Sequence, residues 1–133
     1  MSPKSRLRPH PRERFAGPTQ YLDLNEAARK LRAEPHEGID GHRQVALGHR
    51  YGLTLLLFTF EPGGVLKEHD ADGVTTIHAI DGSLDVMVEG EKRPLKGGEL
   101  LVIAPNVPHA LAARESSTVL VSVALAPDAK AGE

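Results

Sequence analysis

The chain has 133 residues, enough for one domain with a core that needs no disulfide or metal staple. It contains no cysteine, which excludes disulfides, thiolate catalysis and cysteine-ligated zinc or iron–sulfur centres. Its 16 basic and 18 acidic side chains are unevenly spread: residues 1–19 hold Lys4, Arg6, Arg8, Arg12 and Arg14 against Glu13 alone, leaving 11 basic and 17 acidic groups for the body.

Residues 1–19 therefore read as a basic, proline-broken and disordered tail ahead of a domain at 20–126, with a short C-terminal tail at 127–133. The first 18 residues have no apolar segment of the kind a secretory signal needs, and no apolar run approaches the ~20 residues that span a bilayer. A cytoplasmic protein with no membrane partner is the expectation. An acidic body is also a poor surface for phosphate backbones, so no nucleic-acid partner is expected.

The first predicted element is a short helix over about Leu24–Ala33. Asp23 and Glu26 have capping-box spacing, Leu24, Ala27, Ala28 and Leu31 form one apolar stripe, and Pro35 limits the end. From there the pattern changes to strands and turns. Gln44–Gly48 is a candidate short strand, and Leu53–Phe60 is a strong one, apolar on both faces. One face serves the core; the other needs a helix, a second chain or the N-terminal segment over it, and a homodimer through this strand is the first expectation. Glu61-Pro62-Gly63-Gly64 is a turn, Val74–Ile80 a strand, Asp81-Gly82 a two-residue hairpin turn and Ser83–Glu89 the returning strand. Gly90-Glu91-Lys92 turns the chain again and Gly97-Gly98 breaks it. Strands at Leu100–Ala104, His109–Ala113 and Thr118–Leu125 complete a series that indicates a β-sandwich or barrel. No glycine-rich stretch precedes a helix and no Gly-x-Ser-x-Gly elbow is present, so neither a phosphate-binding loop nor serine hydrolysis is expected.

Two segments carry the chemistry. In the first, Gly63 is followed after five residues by His69, then by Ala71, Thr75 and Gly82; the second runs from Gly98-Glu99 through an apolar stretch to Pro105-Asn106-Val107-Pro108-His109. Their order and spacing resemble the two motifs of the cupin superfamily, and the resemblance covers residues 40–126. It implies an all-β jelly-roll barrel with a short N-terminal helix, and it is closest to small stand-alone members without an established reaction. In the full motif a second histidine would stand at Ala71 and a carboxylate at Thr75; the second motif's closing Asn would fall at Ala113. Asn106 occupies a usual glycine position and tolerates the left-handed backbone that position requires.

The resemblance implies a ligand pocket in the barrel mouth lined by His69, Thr75, Ile77, His109 and Leu111, with His78 beside them. It also implies a divalent transition metal (iron, manganese, nickel, copper or zinc) on His69 and His109, although two imidazoles alone hold such an ion weakly. Asp70, Asp72 and His78 are the candidates for a third ligand. Asp70 and Asp72 would point away from His69 in an extended strand, and His78 lies on the opposite face from Thr75 unless a bulge intervenes. His10, His36, His42 and His49 have no such context and read as surface or turn histidines, and Glu61, Glu68 and Glu99 as solvated charges. Three functions follow: a small-molecule-binding cupin with a degenerate metal site; a metal-dependent oxygenase or isomerase with a non-standard third ligand; and a metal-free acid–base enzyme of the epimerase type.

Overall fold

Nine strands and one short helix make up the described part of the molecule, residues 18–125 of a computed structural model. The tail expected over residues 1–19 lies outside the described residues as far as residue 17, as do His10 and residues 126–133.

Helix α1 spans Leu24–Arg32, close to its predicted extent. The Asp23 side chain accepts from the Glu26 N–H at 3.0 Å, satisfying one of the donors that a helix start leaves open. Ala28 and Leu31 are the buried part of its stripe.

The strands are β1 His42–Arg50, β2 Leu53–Phe60, β3 Val65–His69, β4 Val74–Asp81, β5 Ser83–Val88, β6 Glu91–Lys96, β7 Leu100–Ile103, β8 His109–Ala113 and β9 Ser117–Ala124. They form two antiparallel sheets, one ordered β1-β2-β9-β4-β7 and the other β3-β8-β5-β6. The core lies between them, with Phe58, Phe60, Ile77, Leu84, Val86 and Val119 among its fully enclosed side chains. Strand β2 is buried on both faces for most of its length, as its composition required. Leu56, Phe58 and Phe60 face the core, while Leu57 and Thr59 on the outer face are buried on the side where α1 packs against β1 and β2.

Three turn assignments need correction. Strand β1 is longer than the Gln44–Gly48 expected, because Tyr51 and Gly52 (φ 53° and 79°) form a two-residue hairpin that pairs Arg50 with Leu53. Asp81-Gly82 is not a hairpin: β4 and β5 belong to different sheets, and the chain crosses between them at Gly82. A Cβ on Gly82 would come within 2.2 Å of Ser117 Oγ and 2.4 Å of the Ser116 carbonyl, and its φ of 91° is already in the left-handed region. The true hairpin turn nearby is Glu89-Gly90 (φ 50° and 79°), which leads into β6, a strand absent from the sequence reading. Its residues, Glu91-Lys92-Arg93-Pro94-Leu95-Lys96, do not look like a strand. Pro94 is accommodated because β6 is a sheet edge, where a missing N–H leaves no ladder bond unmade.

His42 is the other correction. It is buried, not on the surface: Nδ1 donates to the Val65 carbonyl at 2.8 Å and the ring packs against those of Phe58 and Phe60. An imidazole with one nitrogen satisfied by backbone and its ring packed against two aromatic neighbours behaves as a core residue. His36 and His49 are exposed, as expected.

Candidate functional site

The two histidines of the motif segments face each other across the β3–β8 pair. His69 ends β3, His109 begins β8, and the two are register partners with ring centroids 4.3 Å apart. The register is not simple. Leu66 pairs with Leu111 and His69 with His109, so β3 spends three residues where β8 spends two. That bulge reverses the alternation of side chains, and both Leu66 and His69 face inward although they are an odd number of residues apart. Without it, Glu68 would stand opposite His109.

The inward side chains enclose a cavity of about 220 Å³ between the sheets. Its walls come from Leu56 and Phe58 of β2, Leu66 of β3, Ile77 of β4, Leu111 of β8, and Val121 and Val123 of β9. His69, Asp70 and Ala71 form one side of the mouth and His109 another; the Thr75 side chain, 2 % exposed, also faces the space. The loops at the mouth are joined by the Asn106 N–H, which donates to the Ala71 carbonyl at 2.7 Å. Asn106 has the positive φ, 63°, that its motif position demanded.

The histidines have matching local bonds. His69 Nδ1 lies 2.9 Å from the Lys67 carbonyl and His109 Nδ1 3.0 Å from the Val107 carbonyl, in each case two residues back along the chain. A carbonyl only accepts, so Nδ1 carries a proton in both rings, and in the neutral ring Nε2 keeps the lone pair. His109 is 2 % exposed, and its burial pushes its pKa below the ordinary histidine value. The Val107 bond opposes that shift, the neighbouring His69 adds to it and Asp70 opposes it. Burial therefore favours the neutral, acceptor form of the His109 imidazole.

Of the residues expected in the pocket, His69, Thr75, Ile77, His109 and Leu111 line one cavity. His78 does not: alternation from Ile77 turns it to the outer face of the five-stranded sheet, in register with Leu100 and Leu120. Among the third-ligand candidates, Asp70 reaches the cavity wall and Asp72 does not. The β2 and β9 walls were missed, although Leu56-x-Phe58 and Val121-x-Val123 show the period-two pattern that could have found them. A second depression of about 230 Å³, between Val88, Arg93, Val102 and Val107, contains none of the expected site residues.

A metal fits this donor set poorly. Ala71 presents a methyl group and Thr75 a neutral hydroxyl where the full motif has ligands, and no group of three His, Cys, Asp or Glu side chains converges among the described residues.

Two packed antiparallel sheets, with a cavity between them and a histidine pair at its mouth, define a jelly-roll barrel. The chain belongs to the cupin family: the Cupin domain model matches residues 56–124. Among solved structures, SPY1581 from Streptococcus pyogenes aligns with a TM-score of 0.65 at 22 % identity, covering 83 % of this chain and 90 % of its own. A cupin 2 conserved barrel domain protein from Leptotrichia buccalis aligns at 0.65 and 27 % identity over 77 % of this chain and 47 % of that longer one. KdgF from Halomonas sp. aligns at 0.59 and 25 % identity, covering 71 % and 88 %. Comparison with curated proteins gives no match.

Proposed function

We propose that the protein binds a small organic molecule in the cavity between its sheets, with His69 and His109 as the polar anchors. The observation that supports this is the pairing of an apolar cavity of about 220 Å³ with two imidazoles whose Nδ1 atoms are already committed to backbone carbonyls. Apolar walls with a few convergent polar groups are the usual make-up of a small-ligand site.

A thermal-shift screen against a metabolite panel tests the reading. A compound held at a hundredfold excess over its Kd stabilises the fold by about 2.7 kcal/mol, and His109→Ala should abolish the shift. A broad panel without a stabilising member, or a shift that survives in His109→Ala, counts against the proposal.

The metal-enzyme reading takes second place and rests on Asp70, the one carboxylate on the cavity wall. Elemental analysis of protein grown with added iron, manganese, nickel and zinc decides it: stoichiometric metal would restore that reading. The acid–base reading is weaker still. Neither ring has an orienting carboxylate, since both Nδ1 atoms bond to backbone.

A further inference from the structure

We propose, resting on the reading of this cavity as a small-molecule site, that its ligand is a small apolar molecule with a hydrogen-bond-donating head, a hydroxyl or a primary amine, and not an acid. The polar atoms at the mouth are almost all acceptors. In their neutral forms His69 and His109 each present an Nε2 lone pair, because the proton is held on the nitrogen that bonds to backbone. Neither Nε2 bonds to another described residue. Asp70 adds a carboxylate, and no lysine or arginine lines the cavity. A carboxylate or phosphate entering there would meet two lone pairs and a negative charge, with the Thr75 hydroxyl as the side-chain donor available to it. A hydroxyl or ammonium group finds acceptors in the same places, the second ring nitrogen of His109 among them.

The rest of the cavity limits the ligand's body. Leu56, Phe58, Ile77 and Val121 offer no hydrogen bonds, so a polyhydroxylated body would leave polar groups unpaired against them. The volume corresponds to the share of about seven liquid waters, which suits a body of about eight non-hydrogen atoms.

Four probes of similar shape separate the cases: benzyl alcohol, benzylamine, toluene and benzoate, titrated calorimetrically into the full chain in the presence of a chelator. Benzyl alcohol or benzylamine should bind about tenfold more tightly than toluene, the worth of one good hydrogen bond, and benzoate more weakly than either. His109→Leu should leave toluene binding in place and reduce the margin of the donor probes to less than twofold. His69→Leu, at an exposed position of β3, repeats the test if His109→Leu fails to fold. Asp70→Asn separates the two heads, because it should weaken benzylamine and spare benzyl alcohol. Benzoate binding as tightly as the donor probes, or toluene equalling them, overturns the proposal while leaving the cavity reading intact. If no probe binds, or if all bind equally to Ala71→Phe, which fills the mouth, the cavity is not the site and both readings fall.

Discussion

His109 couples the candidate site to the stability of the fold. Burial lowers its pKa from the ordinary value of 6.5, so over the interval just below pH 6.5 the unfolded chain takes up a proton that the folded chain refuses. Its neutral form is fully compatible with folding above that interval, and stability falls as the pH drops through it. Urea denaturation between pH 8 and pH 5 should show that decline, and a folded His109→Leu variant should lose part of it. Ala71 and Thr75 make the second residue-scale prediction. Both side chains face the same cavity as the two histidines, so Ala71→His with Thr75→Glu should complete a three-imidazole, one-carboxylate set and bind one divalent metal per chain, measured by elemental analysis. Unchanged metal content would show that the positions do not converge. His109, Thr75, Ile77 and Leu111 were legible in the sequence because motif spacing and strand alternation agree. His69 was legible from its motif alone: the bulge that turns it inward leaves no mark in the composition of Val65–His69.

At the scale of elements, the corner at Gly82 carries the connection between the sheets. Ser117 Oγ, which accepts from the Ser83 N–H at 3.0 Å and donates to the Glu115 carbonyl at 2.8 Å, fills the space a side chain at 82 would need. Gly82→Ala should therefore destabilise the protein by about 2 kcal/mol or more, from the left-handed backbone and the clash together, measured by chemical denaturation. A Gly90→Ala control, also at positive φ but with open space around it, should cost less. The same pair of glycines shows why turns were only partly legible. An Asp-Gly dipeptide codes for a left-handed turn, but whether that turn closes a hairpin or changes sheet is decided by Ser117, 35 residues on. Strand β6 was hidden for a related reason: an edge strand keeps its charges in water and needs no apolar alternation to hold its place.

For the molecule as a whole, the helix answers half of the question raised by β2. It covers the outer face at Leu57 and Thr59, while Leu53, Leu100 and Val102 remain 40, 55 and 60 % exposed. A homodimer through the uncovered part of the five-stranded sheet remains our proposal for these side chains, which are too apolar for an ordinary solvated face. Leu100→Glu with Val102→Glu should then shift sedimentation toward the monomer without altering the far-ultraviolet circular dichroism. A wild-type chain that sediments as a monomer at tens of micromolar would remove this proposal. Among the described residues no helix is long and apolar enough to cross a membrane.

The two halves of the histidine pair differ in how firmly they are held. His109 starts a strand with neighbours on both sides, whereas His69 ends the outermost strand of its sheet. Strand β3 is pinned at its other end, where the Val65 N–H donates to the Asp40 carbonyl at 2.9 Å and the Val65 carbonyl accepts from His42. Fraying should thus begin at His69 and stop near Val65. Entry and exit would then be timed by the breathing of three residues at one strand end. Amide exchange at Lys67–His69 should be fast in the free protein and slow when the cavity is occupied, while exchange in β8 changes little.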